Sequence, residues 1–352
     1  MKIARRIVFA LSGLLGILAL IALFLPSRVT VERSATIVAH PATVFALLNN
    51  FRNFNRWSPW AERGMGVTEY TFAGPDRGEG AMMAWTSDSP DVGSGRQEIV
   101  SSVPYERIDI TLEFEGQGSA DTAFVLDAGD TGTRVTWSFT TDFGYDLLGR
   151  YLGLMFDDWI GADYEAGLGN LKALAEDLPE ADFSDLKIEL VRTEARQIAG
   201  MVTSSEPDPA AISKALAAAY FQIIQYMEQN GLVQAGPPLA ILRGFDGRLT
   251  IEAAIPISPL TVADAGQEDA AGSGRNRDGG GVVRISLTYA GEALRAQHIG
   301  AYRDMATTHD KILAYIAAIG HTRNGDAWEE YISDPAKVAE ANLQTDIYYP
   351  IG

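Results

Sequence analysis

Residues 250–257 read TIEAAIPI and residues 344–351 read QTDIYYPI, so an acidic residue stands four positions before a proline in both segments. Apolar residues at helical spacing precede each segment, over residues 209–230 and 302–319, and both of these helices end in a tyrosine followed five residues later by a glycine. Two units that are each too small to bury an apolar face stabilise one another by packing together. The repeat predicts a duplicated α+β domain with pseudo-twofold symmetry and a groove between its two copies.

Strand patterns complete both copies of the repeat. The first copy has predicted strands at 187–192, 196–203, 236–242 and 249–257, and the second copy has them at 282–289, 294–299, 327–332 and 343–351. The segment between the copies, residues 264–281, is rich in glycine, alanine and aspartate. A segment of this composition cannot pack a core, and we predict a disordered loop there.

A separate α+β domain is predicted upstream, over residues 29–178. Strand patterns occur at 29–38, 80–86, 95–103, 107–114, 120–127 and 133–140, with a short helix at 44–48 and a long helix at 147–178. A curved antiparallel sheet can bury its concave face only against that last helix, which readily leaves an internal cavity. The acidic residues 179–185 are the predicted linker, and residues 186–352 form the duplicated domain.

The N-terminus has the pattern of a membrane anchor. Residues 7–25 are an uncharged apolar run preceded by Lys2, Arg5 and Arg6. At 1.5 Å per residue this run spans about 28 Å, close to the roughly 30 Å hydrocarbon core of a bilayer. The basic cluster is expected to remain cytoplasmic, so residues 1–28 are predicted to be a cytoplasmic tip and transmembrane helix of a bacterial inner membrane, with periplasmic domains. The alternative is a cleaved signal peptide, which has a shorter apolar region and a small-residue cleavage site.

Composition excludes several classes of protein. The net charge of −18 and the pI near 4.6 argue against nucleic-acid binding, because phosphates repel an acidic surface. The chain has no cysteine, which excludes disulfides and thiolate nucleophiles. The four histidines lack metal-ligand spacing, and no nucleotide-binding or serine-hydrolase motif occurs. We therefore expect neither a metal nor a cofactor.

The upstream domain resembles the START-like superfamily. The resemblance lies in VERSATI at 31–37, HPATVF at 40–45, WSPW at 57–60 and DYEAGLGNLK at 163–172. It covers about residues 29–178 and implies the helix-grip fold of the polyketide cyclase/dehydrase and lipid-transport group. The candidate walls of the implied cavity are Trp85, Trp137, Trp159 and Met155, although aromatic residues at such spacing are commonly core. Asp157 and Asp158 are neighbours on a helix, point about 100° apart, and are expected to be solvated.

The duplicated domain, with WEEYISDP at 328–335, resembles the gyrase-inhibitor-like effector-binding domain over about residues 186–352. The resemblance implies a buried glutamate, ringed by aromatic side chains, that binds hydrophobic cations. Its position in the Trp-Glu-x-Tyr pattern is Glu329, and Tyr331 shares its strand face because side chains alternate along a strand. Glu252 and Asp346 are symmetric additions to this predicted site, and its candidate walls are Tyr220, Phe221, Tyr226, Tyr302 and Tyr348.

Together these patterns predict membrane-anchored binding or sensing of hydrophobic or amphipathic small molecules, or of lipids, by two pocket domains. The alternative is a hydrolase or cyclase of a small hydrophobic substrate with Glu329 as general base, because an apolar pocket can tune a glutamate for that role. A transcription regulator is disfavoured, since no helix-turn-helix or basic patch precedes the effector-like domain.

Overall fold

The computed structural model describes residues 2–116, 118–259 and 282–352. The predicted disordered loop 264–281 lies outside these residues. The chain divides into two compact units, the first made of Met1–Asp182 with Ala317–Gly320 and the second of Phe183–Ile316 with His321–Gly352. The division between Asp182 and Phe183 falls inside the predicted linker.

Helix α1, Lys2–Phe24, begins the first unit. Among the helices of the described residues, none combines the length and the apolar character needed to cross a membrane. The last turns of α1 contact helix α4, Leu147–Gly153, through Arg150 and Tyr151.

One seven-stranded antiparallel sheet forms the body of the first unit. Its strands are β1 Arg28–Ile37, β2 Thr68–Ala73, β3 Met82–Ser87, β4 Gly95–Val103, β5 Arg107–Phe114, β6 Gly118–Gly129 and β7 Gly132–Asp142, in the order β1-β7-β6-β5-β4-β3-β2. Helices α2 Pro41–Leu48 and α3 Pro59–Arg63 follow β1, and α5 Phe156–Glu176 packs along β1. The α+β prediction with an antiparallel sheet is confirmed.

The predicted single helix at 147–178 is wrong, because the chain breaks between α4 and α5. Gly153 ends α4 at a tight contact, where an added Cβ would lie 2.7 Å from a Phe143 ring carbon and 2.9 Å from Val29 Cγ2. The end of α4 thus lies close to Phe143 and to Val29 of β1. The sequence pattern misses this break because both helices carry apolar residues at helical spacing.

Aromatic side chains fill the interior of the first unit around Trp137. The rings of Trp137 and Tyr164 are stacked with centroids 3.7 Å apart, and Trp57 and Phe124 contact Trp137 at 5.5 and 5.0 Å. The Trp137 indole N–H donates to Thr122 Oγ1 over 2.9 Å. Trp137 is therefore part of a packed core, as the alternative interpretation of the aromatic residues expected.

The other three candidate walls lie elsewhere. Trp85 is half-buried against Phe114, with ring centroids 6.1 Å apart. Met155 and Trp159 are exposed on the surface, so the prediction that they line an interior cavity is wrong. Phe156 and Ile160, on the same first turns of α5, are the side chains that pack against the core. Asp157 pairs with Arg33 over 3.0 Å, in keeping with a surface role for this carboxylate.

The second unit is built on one eight-stranded antiparallel sheet. Its strands are β8 Ile188–Thr193, β9 Gln197–Ser205, β10 Leu239–Phe245, β11 Leu249–Pro256, β12 Arg284–Leu287, β13 Gly291–Ile299, β14 Trp328–Tyr331 and β15 Gln344–Pro350. Helix α6, Pro209–Asn230, and helix α7, Met305–Ala318, belong to the first and second copies of the repeat. The predicted helix at 302–319 begins instead as a 3-10 turn, Tyr302–Asp304.

The strand order, β12-β9-β11-β10-β14-β15-β13-β8, is symmetric about the centre of the sheet. The first strand of each copy is exchanged, since β8 pairs with β13 and β12 pairs with β9. The two copies meet at the central pair of β10 and β14. The predicted duplicated architecture is thus present, and its centre holds Glu329.

Candidate functional site

Glu329 is a buried carboxylate at the middle of the second sheet. It lies on β14 directly opposite Ala240 of β10, and Ala240 packs in the core formed with helix α6. Paired residues on neighbouring strands point to the same face, so Glu329 faces the helices and not the reverse of the sheet. Its exposure of 7% makes it a desolvated acidic group that needs hydrogen-bond partners.

Histidine and tyrosine side chains hold the two oxygens of this carboxylate. His309 Nε2 lies 2.9 Å from Glu329 Oε1, and the Tyr331 hydroxyl donates to Oε2 over 2.6 Å. His309 Nδ1 lies 2.7 Å from the hydroxyl of Tyr349. Because a carboxylate only accepts, Nε2 carries a proton, and a neutral imidazole then accepts the Tyr349 hydroxyl at Nδ1. Tyr349, His309, Glu329 and Tyr331 form one continuous hydrogen-bonded chain.

Burial keeps the tyrosine hydroxyls in and around this hydrogen-bonded series of side chains protonated. Burial raises the pKa of Tyr331 well above its ordinary value, and the negative charge of Glu329 raises it further. The same two causes raise the pKa of Tyr220, and burial raises that of Tyr349. A protonated Tyr331 is a donor, which is the role that the Glu329 carboxylate requires.

Alkaline titration provides a test of this arrangement. An unfolded tyrosine has a pKa of about 10. A tyrosine whose pKa is higher in the folded chain contributes stability that is fully present below a pH of about 10, and this stability is lost as the pH rises from there through the pKa of the folded chain. We expect Tyr220, Tyr331 and Tyr349 to ionise only as the second unit unfolds, giving a late phase of phenolate absorbance. Tyr331→Phe should reduce the amplitude of that late phase by the absorbance of one tyrosine, which is one thirteenth of the total phenolate absorbance of the chain, since the chain has 13 tyrosines. An unchanged late amplitude in this variant would contradict the burial of Tyr331.

Aromatic rings surround the Glu329 carboxylate. The Tyr331 ring meets the Tyr302 ring edge-on with centroids 5.4 Å apart, and it meets the Tyr220 ring at 6.5 Å. Tyr220 is held in place by its hydroxyl, which donates to the carbonyl of Leu239 over 2.8 Å. Tyrosine faces beside a buried carboxylate provide the two features that attract an organic cation.

The pseudo-twofold symmetry places different chemistry on the two sides of the site. Tyr220 and His309 each stand six residues before the tyrosine that ends their helix, and are therefore equivalent positions. Ala240 and Glu329 are equivalent as well. In each copy an isolated β-bridge joins Gln234 or Arg323 to the last strand segment of that copy, and Ala240 and Glu329 each lie six residues after the bridge residue. The first copy supplies an aromatic ring and a small residue, whereas the second supplies an imidazole and a carboxylate.

Three of the predicted site residues lie on the reverse face of the sheet. Glu252, Ile241, Trp328 and Tyr348 form one row of directly paired residues, one step along the strands from Glu329. Glu252 accepts from Arg243 over 2.9 Å, and the Tyr348 ring stacks on Trp328 at 4.7 Å. Asp346, opposite Glu330, shares this reverse face. The prediction that Glu252, Asp346 and Tyr348 join Glu329 is wrong, because alternate strand residues point to opposite faces.

Two predicted walls on α6 also lie away from Glu329. Phe221 is 63% exposed. Tyr226 follows Tyr220 by six residues, a rotation that turns its side chain about 120° from the face that carries Tyr220. Tyr220 and Tyr302 are the wall residues that the structure does bring to the site.

His309 and Tyr349 are site residues that the sequence analysis missed. A signal for each was present, because His309 occupies the repeat position of Tyr220, and Tyr349 is two residues from Ile347, which pairs with Glu329. Neither signal is interpretable without the register of β14 and β15. Within the described residues, no group of three His, Asp or Glu side chains could hold a metal ion.

A separate cavity of about 310 Å³ opens on the reverse face, lined in part by Ile241, Arg243, Asp326 and Trp328. Arg243 is paired there with both Glu252 and Asp326. Glu329 has no part in this cavity, since it faces the helices.

A duplicated α+β unit with a buried, aromatic-lined glutamate defines a class of small-molecule-binding protein, and family comparisons agree. The model described as a polyketide cyclase/dehydrase and lipid transport family matches residues 28–176, and the model described as a GyrI-like small molecule binding domain matches residues 187–351. The chain joins a domain of the first family to a domain of the second, and both resemblances are confirmed.

Three similar solved structures each match less than half of this chain. They include the C-terminal domain of EcmrR (13% identity, 48% of this chain and 98% of that chain, TM-score 0.36) and a hydrolase from Listeria innocua (17%, 47% and 92%, TM-score 0.32). A protein from Chromobacterium violaceum is 16% identical over 42% of this chain and 96% of its own, with a TM-score of 0.32. No curated protein matches the chain.

Proposed function

We propose that this chain is a membrane-anchored binder or sensor of hydrophobic or amphipathic small molecules, and that its second unit binds an organic cation at Glu329. The observation that carries the proposal is the Glu329 carboxylate, buried among tyrosine rings and held by His309 and Tyr331. The ligand is assigned to the second unit because aromatic side chains fill the first unit around Trp137.

The charge of the site favours a cationic ligand. In the part of the second unit that is described, no lysine or arginine pairs with Glu329, and its ionisable partner is His309. The Glu329 carboxylate is kept out of water, and a buried carboxylate gains from a compensating cation. A lipophilic cation supplies that charge and covers the faces of Tyr302 and Tyr331 at the same time.

Comparison of a cation with a neutral compound of similar shape tests the proposal. We expect the full chain, in phosphatidylcholine nanodiscs, to bind tetraphenylphosphonium at least about tenfold more tightly than triphenylphosphine oxide, because only the cation gains from the carboxylate and the rings. Equilibrium dialysis with empty nanodiscs subtracted measures both affinities. Equal binding of the two compounds would overturn the proposed ligand class.

A hydrolase is the second candidate. The buried Glu329 carboxylate favours it, since a carboxylate held in place by His309 and Tyr331 is able to act as a general base. Consumption of an ester or electrophilic substrate that is abolished in Glu329→Gln would support this function over binding alone.

The apolar run of residues 7–25 is the proposed anchor, with the basic residues before it in the cytoplasm and both units in the periplasm of a bacterial inner membrane. Arg150 donates to the carbonyls of Leu23 and Leu25 at 3.1 Å, so the end of α1 packs as part of the first unit. This contact supports a retained helix over a cleaved signal peptide. The charge asymmetry supports the orientation.

A topology reporter tests this placement. We expect alkaline phosphatase fused after Gly352 to be active in cells, because this enzyme folds only outside the cytoplasm. We expect a fluorescent protein that folds only in the cytoplasm to be dark when it is fused at the same position. The reverse pair of results would refute the periplasmic location and leave the ligand proposal standing.

A further inference from the structure

An exposed apolar surface lies beside the C-terminal end of α1. It is made by side chains that are each between 44% and 90% exposed: Tyr145, Leu148, Leu152, Leu154, Met155 and Trp159. Leu148 and Leu152 are four residues apart and share one face of α4. Clustered apolar exposure of this kind marks an interaction site, and we call these six residues the α4 apolar surface.

Polar contacts fix this surface against α1. The Arg150 guanidinium donates to the carbonyls of Ala22, Leu23 and Leu25 at 3.1–3.2 Å, and the Tyr151 hydroxyl donates to the carbonyl of Leu18 over 2.8 Å. The last carbonyls of a helix have no partner within it, so Arg150 caps α1. Helix α4 is therefore held alongside the last turns of α1.

The contact with Leu18 sets a depth. Leu18 precedes Leu25, the end of the apolar run, by seven residues, which is about 10 Å along a helix. Interfacial helices lie about 5–10 Å into the boundary between headgroups and acyl chains. If α1 crosses a bilayer, Tyr151 and its neighbours on α4 lie in that boundary.

The chemistry of the surface fits lipid. The surface contains leucine and methionine side chains, and Tyr145 and Trp159 supply the aromatic rings typical of a membrane interface. Two of the acidic groups nearby are engaged, since Asp146 accepts from the N-terminal amides of α4 and Asp157 pairs with Arg33, whereas Asp158 is exposed. The single charged side chain of α4, Arg150, is buried against α1. Insertion would therefore depend on apolar burial and not on anionic lipid.

We propose that the α4 apolar surface is a second membrane contact, which inserts into the interface of the same bilayer that α1 spans and holds the first unit against the lipid. This inference rests on the proposed anchoring by α1. Its consequence is that the first unit is seated on the membrane and does not move freely on a tether.

Single-cysteine labelling tests the contact, because the chain contains no cysteine of its own. Leu148→Cys, Leu15→Cys in α1 and Val103→Cys at the end of β4 are each labelled with an environment-sensitive fluorophore in the full chain. The labelled proteins are reconstituted in phosphatidylcholine vesicles that carry spin-labelled quencher lipids. All three side chains are apolar and exposed, so we expect that replacing and labelling them does not disturb folding.

We expect the label at residue 148 to lose most of its fluorescence to shallow quenchers, the label at 15 to lose it to deep quenchers, and the label at 103 to keep it. Quenching at 15 without quenching at 148 would overturn the second contact and leave the anchor intact. No quenching at 15 would overturn the anchor and with it this inference. Quenching at 148 that requires added phosphatidylglycerol would overturn insertion by apolar burial.

Discussion

We expect Glu329→Gln to weaken the binding of tetraphenylphosphonium by at least about 30-fold. Opposite charges about 4 Å apart attract by about 4 kcal/mol at an effective dielectric constant of about 20. A net loss of about 2 kcal/mol, after the cost of desolvation, corresponds to about 30-fold in affinity because each 1.36 kcal/mol is a factor of ten. Glutamine keeps the size of the side chain, and its amide oxygen can accept from His309 while its NH2 group donates to the Tyr331 hydroxyl. The variant therefore removes the charge and reverses the direction of one hydrogen bond. Equilibrium dialysis in nanodiscs measures the loss.

The matched control is Glu340→Gln, an exposed glutamate of the same unit that pairs with Arg303 over 2.8 Å. We expect its affinity for the cation to equal that of the wild type, because exposed pairs contribute little. Binding of the neutral triphenylphosphine oxide should be the same in both variants. A Glu329→Gln protein that still binds the cation as the wild type does would show that the ligand site lies elsewhere.

We expect Trp137→Ala to lower the free energy of unfolding of the first unit by about 3–5 kcal/mol. Truncation of a buried tryptophan removes its apolar contacts and leaves a cavity that the surrounding side chains fill only in part. Trp137 is 2% exposed, stacks on Tyr164 and donates to Thr122, so the loss falls at the high end for a core substitution.

Amide hydrogen exchange on strands β6 and β7 in increasing denaturant measures this change within the first unit, since a two-unit chain does not unfold in a single step. Trp159→Ala is the control, because Trp159 is 50% exposed and its replacement is expected to alter stability by less than about 0.5 kcal/mol. Equal losses in the two variants would contradict the packed interior around Trp137.

Local patterns predicted the regular elements well. Strands β4 and β5 and helix α6 have the bounds that their apolar periodicity indicated. The exchange of β8 and β12 between the two halves of the sheet was beyond such patterns, because a strand's alternation shows that it has a buried face but not which strand it pairs with. The break after Gly153 had the same cause, since it depends on the distant residues Phe143 and Val29.

The candidate site was predicted in part. Glu329 and Tyr331 came from a motif within one strand, where the two-residue period places both on one face. Glu252 and Asp346 were placed with them on the strength of symmetry, yet their strands present these residues to the reverse face. His309 and Tyr349 reach Glu329 from α7 and β15, and only the register of those elements brings them together.

By itself the sequence determined that the chain has two α+β domains, an internal repeat and an apolar N-terminal run, because each of these is written in periodicity and composition along neighbouring residues. Tertiary structure alone decided which face each carboxylate occupies, which partners hold Glu329, and where the α4 apolar surface lies beside α1. These depend on strand register and helix docking, which are set by contacts between residues far apart in the chain. A shift of one residue in the pairing of a strand would move the side chains of that strand to the opposite face of the sheet.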